Sequence, residues 1–142
     1  MYKSEIFVEF LIEGFEISCN ELTKQFGINP TEYEDKGTKY VSKISGKEFI
    51  LKISNWRLDS GVKHSQSLEY IFKRLLKKMR PFKNRITPIC KKHRPFFNII
   101  IHIYGNEYPA IVWENDILKE ITEYNGAIGI DISFFSEDEK VE

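Results

Sequence analysis

Alternation of apolar and polar side chains, repeated in separate segments, constrains the fold of this chain more than any other feature. In residues 5–13 the even-numbered side chains are all apolar, and Glu5, Glu9 and Glu13 lie on the other face of the alternation. A side-chain period of two predicts a strand with one face in the core and one in solvent. The same alternation recurs over residues 97–104 and 128–134, so we expect a sheet with one buried face. The inward side chains of the last strand are predicted to be Ile128, Ile130, Ile132 and Phe134.

A second period, near 3.6 residues, marks the middle of the chain. Apolar side chains recur there at the spacing of one helical face, namely at Leu68, Ile71, Phe72, Leu75, Leu76 and Met79. This stripe predicts an amphipathic helix that Pro81 ends or kinks. A Ser-x-x-Glu capping box at residues 18–21 predicts a shorter helix before it. Asn115 and the pair Asn125-Gly126 delimit a third predicted helix after it.

Turn residues predict two hairpins. Ser45-Gly46-Lys47 separates two strand-like segments, and we expect Trp56 and Leu58 to prolong the inner face of the second one. Gly105-Asn106 is predicted to turn the chain into a strand over residues 108–113.

The resulting order, β-α-β-β-α-β-β-α-β, predicts an α+β fold. We expect a single largely antiparallel sheet of about six strands with helices packed on one face, because clean alternation is typical of half-solvated antiparallel strands. We assign residues 1–135 to a single α+β domain and residues 136–142 to an acidic disordered tail.

The composition describes a chain that can bury a core of its own. Its 142 residues are 42% hydrophobic, which is sufficient for one domain without disulfides or metals. No apolar run approaches the roughly 18 residues of a membrane span, and no signal segment precedes the first strand. We expect a cytoplasmic protein without membrane contact and without a cofactor. For Cys19 and Cys90 buried free thiols are favoured over a disulfide.

The net charge of zero conceals a strong segregation of charge. Residues 61–95 carry 11 Lys/Arg and 1 Asp/Glu, whereas residues 96–142 carry 2 and 10. Such a distribution can steer an acidic partner onto the basic segment, or close one part of the fold against another, and the sequence leaves both open. Helical geometry places a basic face opposite the apolar stripe. We call it the basic face, and its candidate binding residues are Lys73, Arg74, Lys77, Lys78 and Arg80.

A basic helical face suits nucleic-acid phosphates as well as an acidic protein. A pI near 6.8 and an acidic C-terminal third disfavour nucleic acid. The chain also lacks the signatures of the common RNA- and DNA-binding modules. We rank a solvated or internally paired face first, an acidic protein partner second, and nucleic acid third.

No catalytic residue and no metal site is predicted. Cys90 and His93 supply two ligands where a structural zinc site needs four, and Cys90 lies on the apolar side of its segment. Trp56 and Arg57 are candidate binding residues for a small molecule, at one end of the sheet where Thr31 and Lys36 can converge. A core position for Trp56 is the favoured alternative.

Several short strings occur in a recognisable order. Gly14 precedes a capped helix, and Phe26-Gly27-Ile28-Asn29-Pro30-Thr31, Trp56-Arg57-Leu58 and Ile130-Asp131-Ile132 follow, with the Leu68–Met79 helix between the last two. In this order and spacing the chain resembles the bacterial family known as domain of unknown function 4279. The resemblance implies a small stand-alone α+β bacterial protein, and it implies no catalytic residue or activity.

The outer face of the predicted sheet mixes acidic and apolar side chains. The carboxylates are those of Glu5, Glu9, Glu13 and Asp131, and the apolar side chains are Phe7, Leu11, Ile50, Ile100 and Tyr104. This mixture is typical of a protein interface. We predict a non-enzymatic protein-binding module of immunity or regulatory type, a monomer or weak homodimer, that acts through this face or the basic face. Nucleic-acid binding by residues 73–94 and small-molecule binding near Trp56 are the alternatives.

Overall fold

A computed structural model describes residues 3–136, so the predicted acidic tail lies outside the described residues beyond Ser136. Within residues 3–136 the chain forms seven strands and four α-helices, with a 3-10 turn at Arg80–Phe82. In chain order they are β1 (Glu5–Glu13), α1 (Cys19–Phe26), β2 (Glu32–Glu34), β3 (Lys39–Val41), β4 (Glu48–Ile50), β5 (Asn55–Asp59), α2 (Leu68–Met79), α3 (Lys83–Lys92), β6 (Phe96–Tyr104), α4 (Asn115–Glu123) and β7 (Ala127–Phe135).

Five of the strands form the main sheet, in the order β2-β5-β1-β6-β7. The central strand β1 is antiparallel to both β5 and β6, with Phe10 opposite Leu58 on one side and Phe97 on the other. At the edges, β2 is antiparallel to β5 and β7 is parallel to β6. The predicted α+β class and largely antiparallel sheet are confirmed, whereas the predicted strand count and order are corrected.

The first predicted hairpin forms, but apart from the main sheet. Strands β3 and β4 make a two-stranded sheet of their own, in which Phe49 and Ile50 are 52% and 56% exposed. The expectation that Ile50 shares the outer face of the main sheet was therefore wrong. Two strands of three residues offer little apolar surface to bury, and the chain rejoins the core only where Trp56 and Leu58 become buried in β5.

The second predicted hairpin does not form. Residues 105–114 are a loop, and the chain returns through α4 so that β7 runs parallel to β6. Pro109 stands inside the segment predicted as a strand, and its missing N–H disfavours a paired strand there. Gly105 instead donates its N–H to the carbonyl of Phe135, at 3.0 Å.

All four helices contribute to one core on a single face of the main sheet. The predicted stripe of α2 is buried throughout, and Phe72 packs against Phe97 of β6 with ring centroids 5.8 Å apart. Ser18 caps α1 by accepting the N–H of Glu21, and Gly27 ends that helix with a φ of 82°. Both cysteines are free and buried, as expected. Among residues 3–136 no helix is long and apolar enough to cross a bilayer.

Strand β7 departs from its prediction in burial. Its register with β6 places Ile128, Ile130, Ile132 and Phe134 on the same face as the core residues Phe97, Ile99, Ile101 and Ile103. Their exposed fractions are nevertheless 40%, 55%, 47% and 66%. These four side chains point toward the helical layer but lie beyond its cover, so the expectation that they are buried was wrong.

Candidate functional site

The five predicted residues of the basic face are all exposed, with Lys73, Arg74, Lys77 and Lys78 on α2 and Arg80 in the following turn. Arg80 is committed to α4. Its Nε and Nη2 atoms donate to the two carboxylate oxygens of Glu120, at 3.0 and 2.9 Å. One residue pair thus joins the basic segment of the chain to the acidic segment that follows it.

Lys83 repeats this arrangement at the start of α3. Its Nζ atom pairs with the carboxylate of Glu123 and lies 5.5 Å from the centroid of the Tyr124 ring. With Arg80, it closes basic α2 and α3 against acidic α4. The charge segregation in the sequence therefore serves, at least at these two positions, to hold one part of the fold against another.

Other basic side chains hold backbone carbonyls. Lys78 donates to the carbonyl of Asp59 at 2.9 Å, and Arg94 to that of Asn125 at 3.2 Å. Arg85 donates to the carbonyls of Lys24 and Gln25 at the end of α1, at 2.6 and 2.9 Å. A basic side chain at the C-terminus of a helix donates hydrogen bonds to its unpaired carbonyls, and its positive charge interacts favourably with the negative end of the helix dipole.

Lys73 pairs with Glu69 one turn earlier on α2, at 2.6 Å. Within residues 3–136, Arg74, Lys77, Lys91 and Lys92 make neither an ion pair nor a side-chain hydrogen bond. The cations that are left to interact with solvent or a partner thus form two pairs, one on α2 and one on α3. Fewer uncommitted cations mean fewer phosphates neutralised, which weakens nucleic-acid binding.

The opposite face of the main sheet, which we call the outer face, has no helix packed on it within residues 3–136. The strand registers bring four strands' acidic side chains onto this face: Glu5, Glu9, Glu13, Glu32, Glu34, Asp59 and Asp131. Arg57 is the cationic residue among the strand positions of the outer face. Phe7, Leu11 and Ile100 are half-buried between the acids. The sequence prediction of a mixed acidic and apolar surface here is confirmed for β1, β6 and β7.

Aromatic rings run across the outer face from β1 to β7. The imidazole of His102 meets Phe7 edge-on at 5.3 Å and Phe135 edge-on at 5.5 Å, and Phe135 stacks on Tyr104 at 5.3 Å. Aromatic side chains have few rotatable bonds, and rings packed against one another restrict each other's motion. They give the outer face a rigid apolar patch.

A groove of about 600 Å³ crosses the outer face beside this patch. Phe7 and Ile100 form its apolar floor, Glu9 and Asp59 its acidic side, and the loop residue Val62 its wall. The volume suits one or two large side chains of a partner or a small ligand. The carboxylates of Glu9, Glu32 and Asp59 outnumber the one ammonium group in its lining, that of Lys63, and so favour a positively charged group.

Trp56 and Arg57 lie on opposite faces of β5. Trp56 is fully buried, packs against Phe26 with ring centroids 4.9 Å apart, and donates its indole N–H to Thr23 at 3.0 Å. A ligand could reach this ring only by displacing core side chains. Arg57 faces the outer side, where its Nε atom has no hydrogen-bond partner within residues 3–136.

Of the two residues expected to converge with this pair, Thr31 contacts Arg57 directly. Thr31 donates its N–H to the Arg57 carbonyl at 2.7 Å, whereas the backbone of Lys36 bonds to Ser54. Small-molecule binding by Trp56 and Arg57 stays a prediction.

Sequence reasoning missed a polar cluster at the β2 edge of the sheet. The Tyr40 hydroxyl and the Asn55 amide both donate to the carboxylate of Glu34, and the Tyr40 hydrogen bond holds the Glu34 pKa below its ordinary value. Asp35 accepts the backbone N–H of Cys19 at 2.8 Å. Burial, with help from Asp35, raises the pKa of the Cys19 thiol to about 12. These residues come from four elements that the sequence does not mark as neighbours.

Neither cysteine has the environment of a nucleophile. Burial raises the pKa of the Cys90 thiol to about 12, so it stays protonated at neutral pH. Residues 3–136 contain no group of three or more His, Cys, Asp or Glu side chains that could hold a metal ion.

The fold and its surfaces define an α+β protein whose sheet is covered by helices on one face and open on the other. A family model, Domain of unknown function (DUF4279), matches residues 4–135, and the chain belongs to this family. The resemblance found in its short sequence strings is therefore confirmed over nearly the whole chain. No curated protein and no solved structure matches the chain.

Proposed function

We propose that the protein is a non-enzymatic binding module that holds a protein partner on the outer face of its main sheet. One observation carries this proposal: a rigid, half-buried apolar patch of Phe7, Ile100 and neighbouring rings lies among carboxylates and borders a groove. A sheet face that serves only solubility needs no such patch. Apolar anchors with a charged surround are the usual composition of a docking surface.

The charge of the outer face selects the partner. Seven carboxylates and one guanidinium stand on its strands, so a complementary surface is basic and carries an apolar side chain for the groove. Complementary charge raises the association rate and excludes acidic competitors. An immunity-type protein that occludes a basic toxin and a regulatory protein that covers a basic surface are two forms of this function.

The internal pairing of the basic face supports the outer face over the alternative site. The charges of Arg80 and Lys83 are already compensated by Glu120 and Glu123 of α4, and the guanidinium of Arg85 is held by backbone carbonyls at the end of α1. An acidic protein or a nucleic acid would compete with these contacts. Arg74 and Lys77 are exposed and form no such contact within residues 3–136, so substituting them tests whether the basic face binds a partner.

Two charge-reversal variants with equal numbers of substitutions separate the faces. Glu9→Lys/Glu32→Lys alters the outer face, and Arg74→Glu/Lys77→Glu alters the basic face. All four side chains are at least partly exposed, so both variants should fold, which circular dichroism checks. Tagged intact protein and both variants are used to capture partners from lysate of the source cells, and the captured proteins are identified by mass spectrometry.

We expect a basic protein to be captured by the intact chain and the Arg74/Lys77 variant and lost by the Glu9/Glu32 variant. Titration calorimetry with that purified protein should give an affinity that falls at least tenfold in the Glu9/Glu32 variant. Loss by the Arg74/Lys77 variant alone would refute the proposal and favour the basic face. Nuclease-sensitive capture would favour nucleic acid.

A further inference from the structure

Strand β7 forms one edge of the main sheet, and its outward backbone groups can be identified. Ala127 donates its N–H to the Pro95 carbonyl at 2.9 Å, and the Phe135 carbonyl accepts from Gly105 at 3.0 Å, so these odd-numbered residues bond toward the β6 side. Successive residues of a strand direct their N–H and C=O groups to opposite sides. The N–H and C=O groups of Ile128, Ile130, Ile132 and Phe134 therefore face the free edge.

The same four residues carry the exposed apolar side chains of β7, with exposed fractions between 40% and 66%. Natural edge strands are usually blunted by lysine, proline, a bulge or a covering loop. The nine residues of β7 contain neither lysine nor proline, and their one charged side chain is Asp131. An apolar row, and backbone groups that no other strand of residues 3–136 pairs with, are the features that a second strand would satisfy together.

We propose that a second copy of this chain pairs with the free edge of β7, antiparallel to it, so that the two main sheets join into one. A two-fold axis perpendicular to the sheet at Ile132 relates the copies. This axis keeps the helices of both copies on the same side, so the two apolar rows meet on that side. The outer faces also become continuous, and the proposed function does not depend on this pairing.

The charge of Asp131 excludes the register that is centred on this residue. An axis at Asp131 would place the two Asp131 side chains directly opposite each other, where like charges destabilise a strand pair. An axis at Ile132 places Asp131 opposite Ser133 of the second copy, and Ile130 opposite Phe134. About six backbone hydrogen bonds then form around the axis.

Charge complementarity at the ends of the paired strands supports the same occupant. The chain leaves β7 at Ser136 and enters a segment that contains Glu137, Asp138 and Glu139. In the proposed dimer this exit lies beside the start of β7 in the other copy. Pro95 and Arg94 bond to Ala127 and Asn125 there, and the uncommitted Lys91 and Lys92 are close in the chain. Ser136 of one copy stands opposite Ile128 of the other, so the acidic sequence that follows Ser136 is complementary in charge to the basic sequence that precedes β6 in the second copy.

Sedimentation velocity over a range of concentrations tests the dimer, with Ile132→Lys as the disrupting variant. Ile53→Lys is the matched control, because Ile53 is 49% exposed against 47% for Ile132 but precedes β5 on the opposite side of the sheet. We expect concentration-dependent dimerisation of the intact chain and the control. The dimer dissociation constant should rise at least about tenfold in Ile132→Lys, since two lysines would meet at the axis. An intact chain that stays monomeric, or an unaffected Ile132→Lys, would overturn the proposal.

Cysteine cross-linking then determines which residues of the two β7 strands lie opposite each other. Residues opposite each other in an antiparallel pair have Cα atoms about 4.5–5.5 Å apart, within the range of about 4.4–6.8 Å that a disulfide spans. We expect Ile132→Cys to form a disulfide-linked dimer under mild oxidation and Asp131→Cys to form much less. The native thiols are buried and give little background. Equal or preferential linking through Asp131→Cys would reject the Ile132 axis, and dimerisation that Phe7→Lys abolishes would assign self-association to the outer face.

Discussion

At the scale of single residues, the Glu34 carboxylate is the side chain whose contacts reach furthest. It accepts from Tyr40 of β3 and from Asn55 of β5, while Glu34 itself ends β2. One carboxylate therefore joins the small two-stranded sheet to the edge of the main sheet. Both bonds favour the ionised form of Glu34 and lower its pKa, with the Tyr40 bond as the larger cause, and the bond to Glu34 raises the pKa of Tyr40.

These contacts predict a pH dependence. A carboxylate with a lowered pKa in the folded state stabilises the fold above its ordinary pKa, and this stabilisation is lost as pH falls through the lowered value. We expect Tyr40→Phe to raise the pKa of Glu34, measured by NMR titration, toward its ordinary value. The difference in free energy of unfolding between the intact chain and Tyr40→Phe should be larger at pH 7 than at pH 3.

Tyr33→Phe is the control, because Tyr33 is exposed on β2 and no hydrogen bond joins its hydroxyl to Glu34 within residues 3–136. An unchanged Glu34 pKa in Tyr40→Phe would mean that the Tyr40 hydroxyl does not hold this carboxylate in solution.

At the scale of elements, ion pairs add to the apolar contacts by which Ile117 and Ile121 hold α4 on the helical layer. The bidentate contact of Arg80 with Glu120 is the strongest candidate, since the Glu120 side chain is only 15% exposed. Because Arg80 is 53% exposed, solvent screens the pair. We expect a double-mutant cycle of Arg80→Ala and Glu120→Ala to give a coupling free energy of at most about 1 kcal/mol that falls in high salt.

The Lys73–Glu69 pair is the matched control within α2, for which the coupling should be about 0.3–0.5 kcal/mol. If the coupling free energy of Arg80–Glu120 were no larger than that of Lys73–Glu69, we would conclude that apolar contacts alone position α4.

Periodicity predicted the elements that are buried on one side. The stripe of α2 and the alternation of β1 determine which side chains enter the core, and both were predicted correctly from residue to residue. The hairpin after β6 was not, because a glycine turn followed by apolar residues fits a hairpin and a crossover loop equally well. Pro109 was the one residue that disfavoured a strand over residues 108–113. The parallel pairing of β7 with β6, which follows α4, has no local signature in the sequence.

At the scale of the whole molecule, the sheet separates two kinds of charge. Carboxylates of the strands line the outer face, and lysines and arginines of α2, α3 and the turn between them stand on the helical side, where α4 compensates two of them, Arg80 and Lys83. The sequence predicted both surfaces, but it placed Ile50 wrongly on the outer face and did not predict that Glu32, Glu34 and Asp59 lie there. The sequence could not predict which cations form ion pairs within the fold. Arg80 and Glu120, for example, are forty positions apart and meet only through tertiary packing.

The two sheets should differ sharply in what they contribute to stability, and two identical substitutions measure this. Phe97 is fully buried among Phe10, Phe72 and Tyr124, so Phe97→Ala should cost about 3–5 kcal/mol in the free energy of unfolding. Phe49 is 52% exposed and stacks on Tyr40 alone among the aromatic rings of residues 3–136, so Phe49→Ala should cost less than about 1 kcal/mol. Chemical denaturation followed by tryptophan fluorescence gives both values. Comparable costs would mean that the small sheet unfolds as part of the main core, whereas the expected disparity makes it a surface element that the Glu34 contacts hold in place.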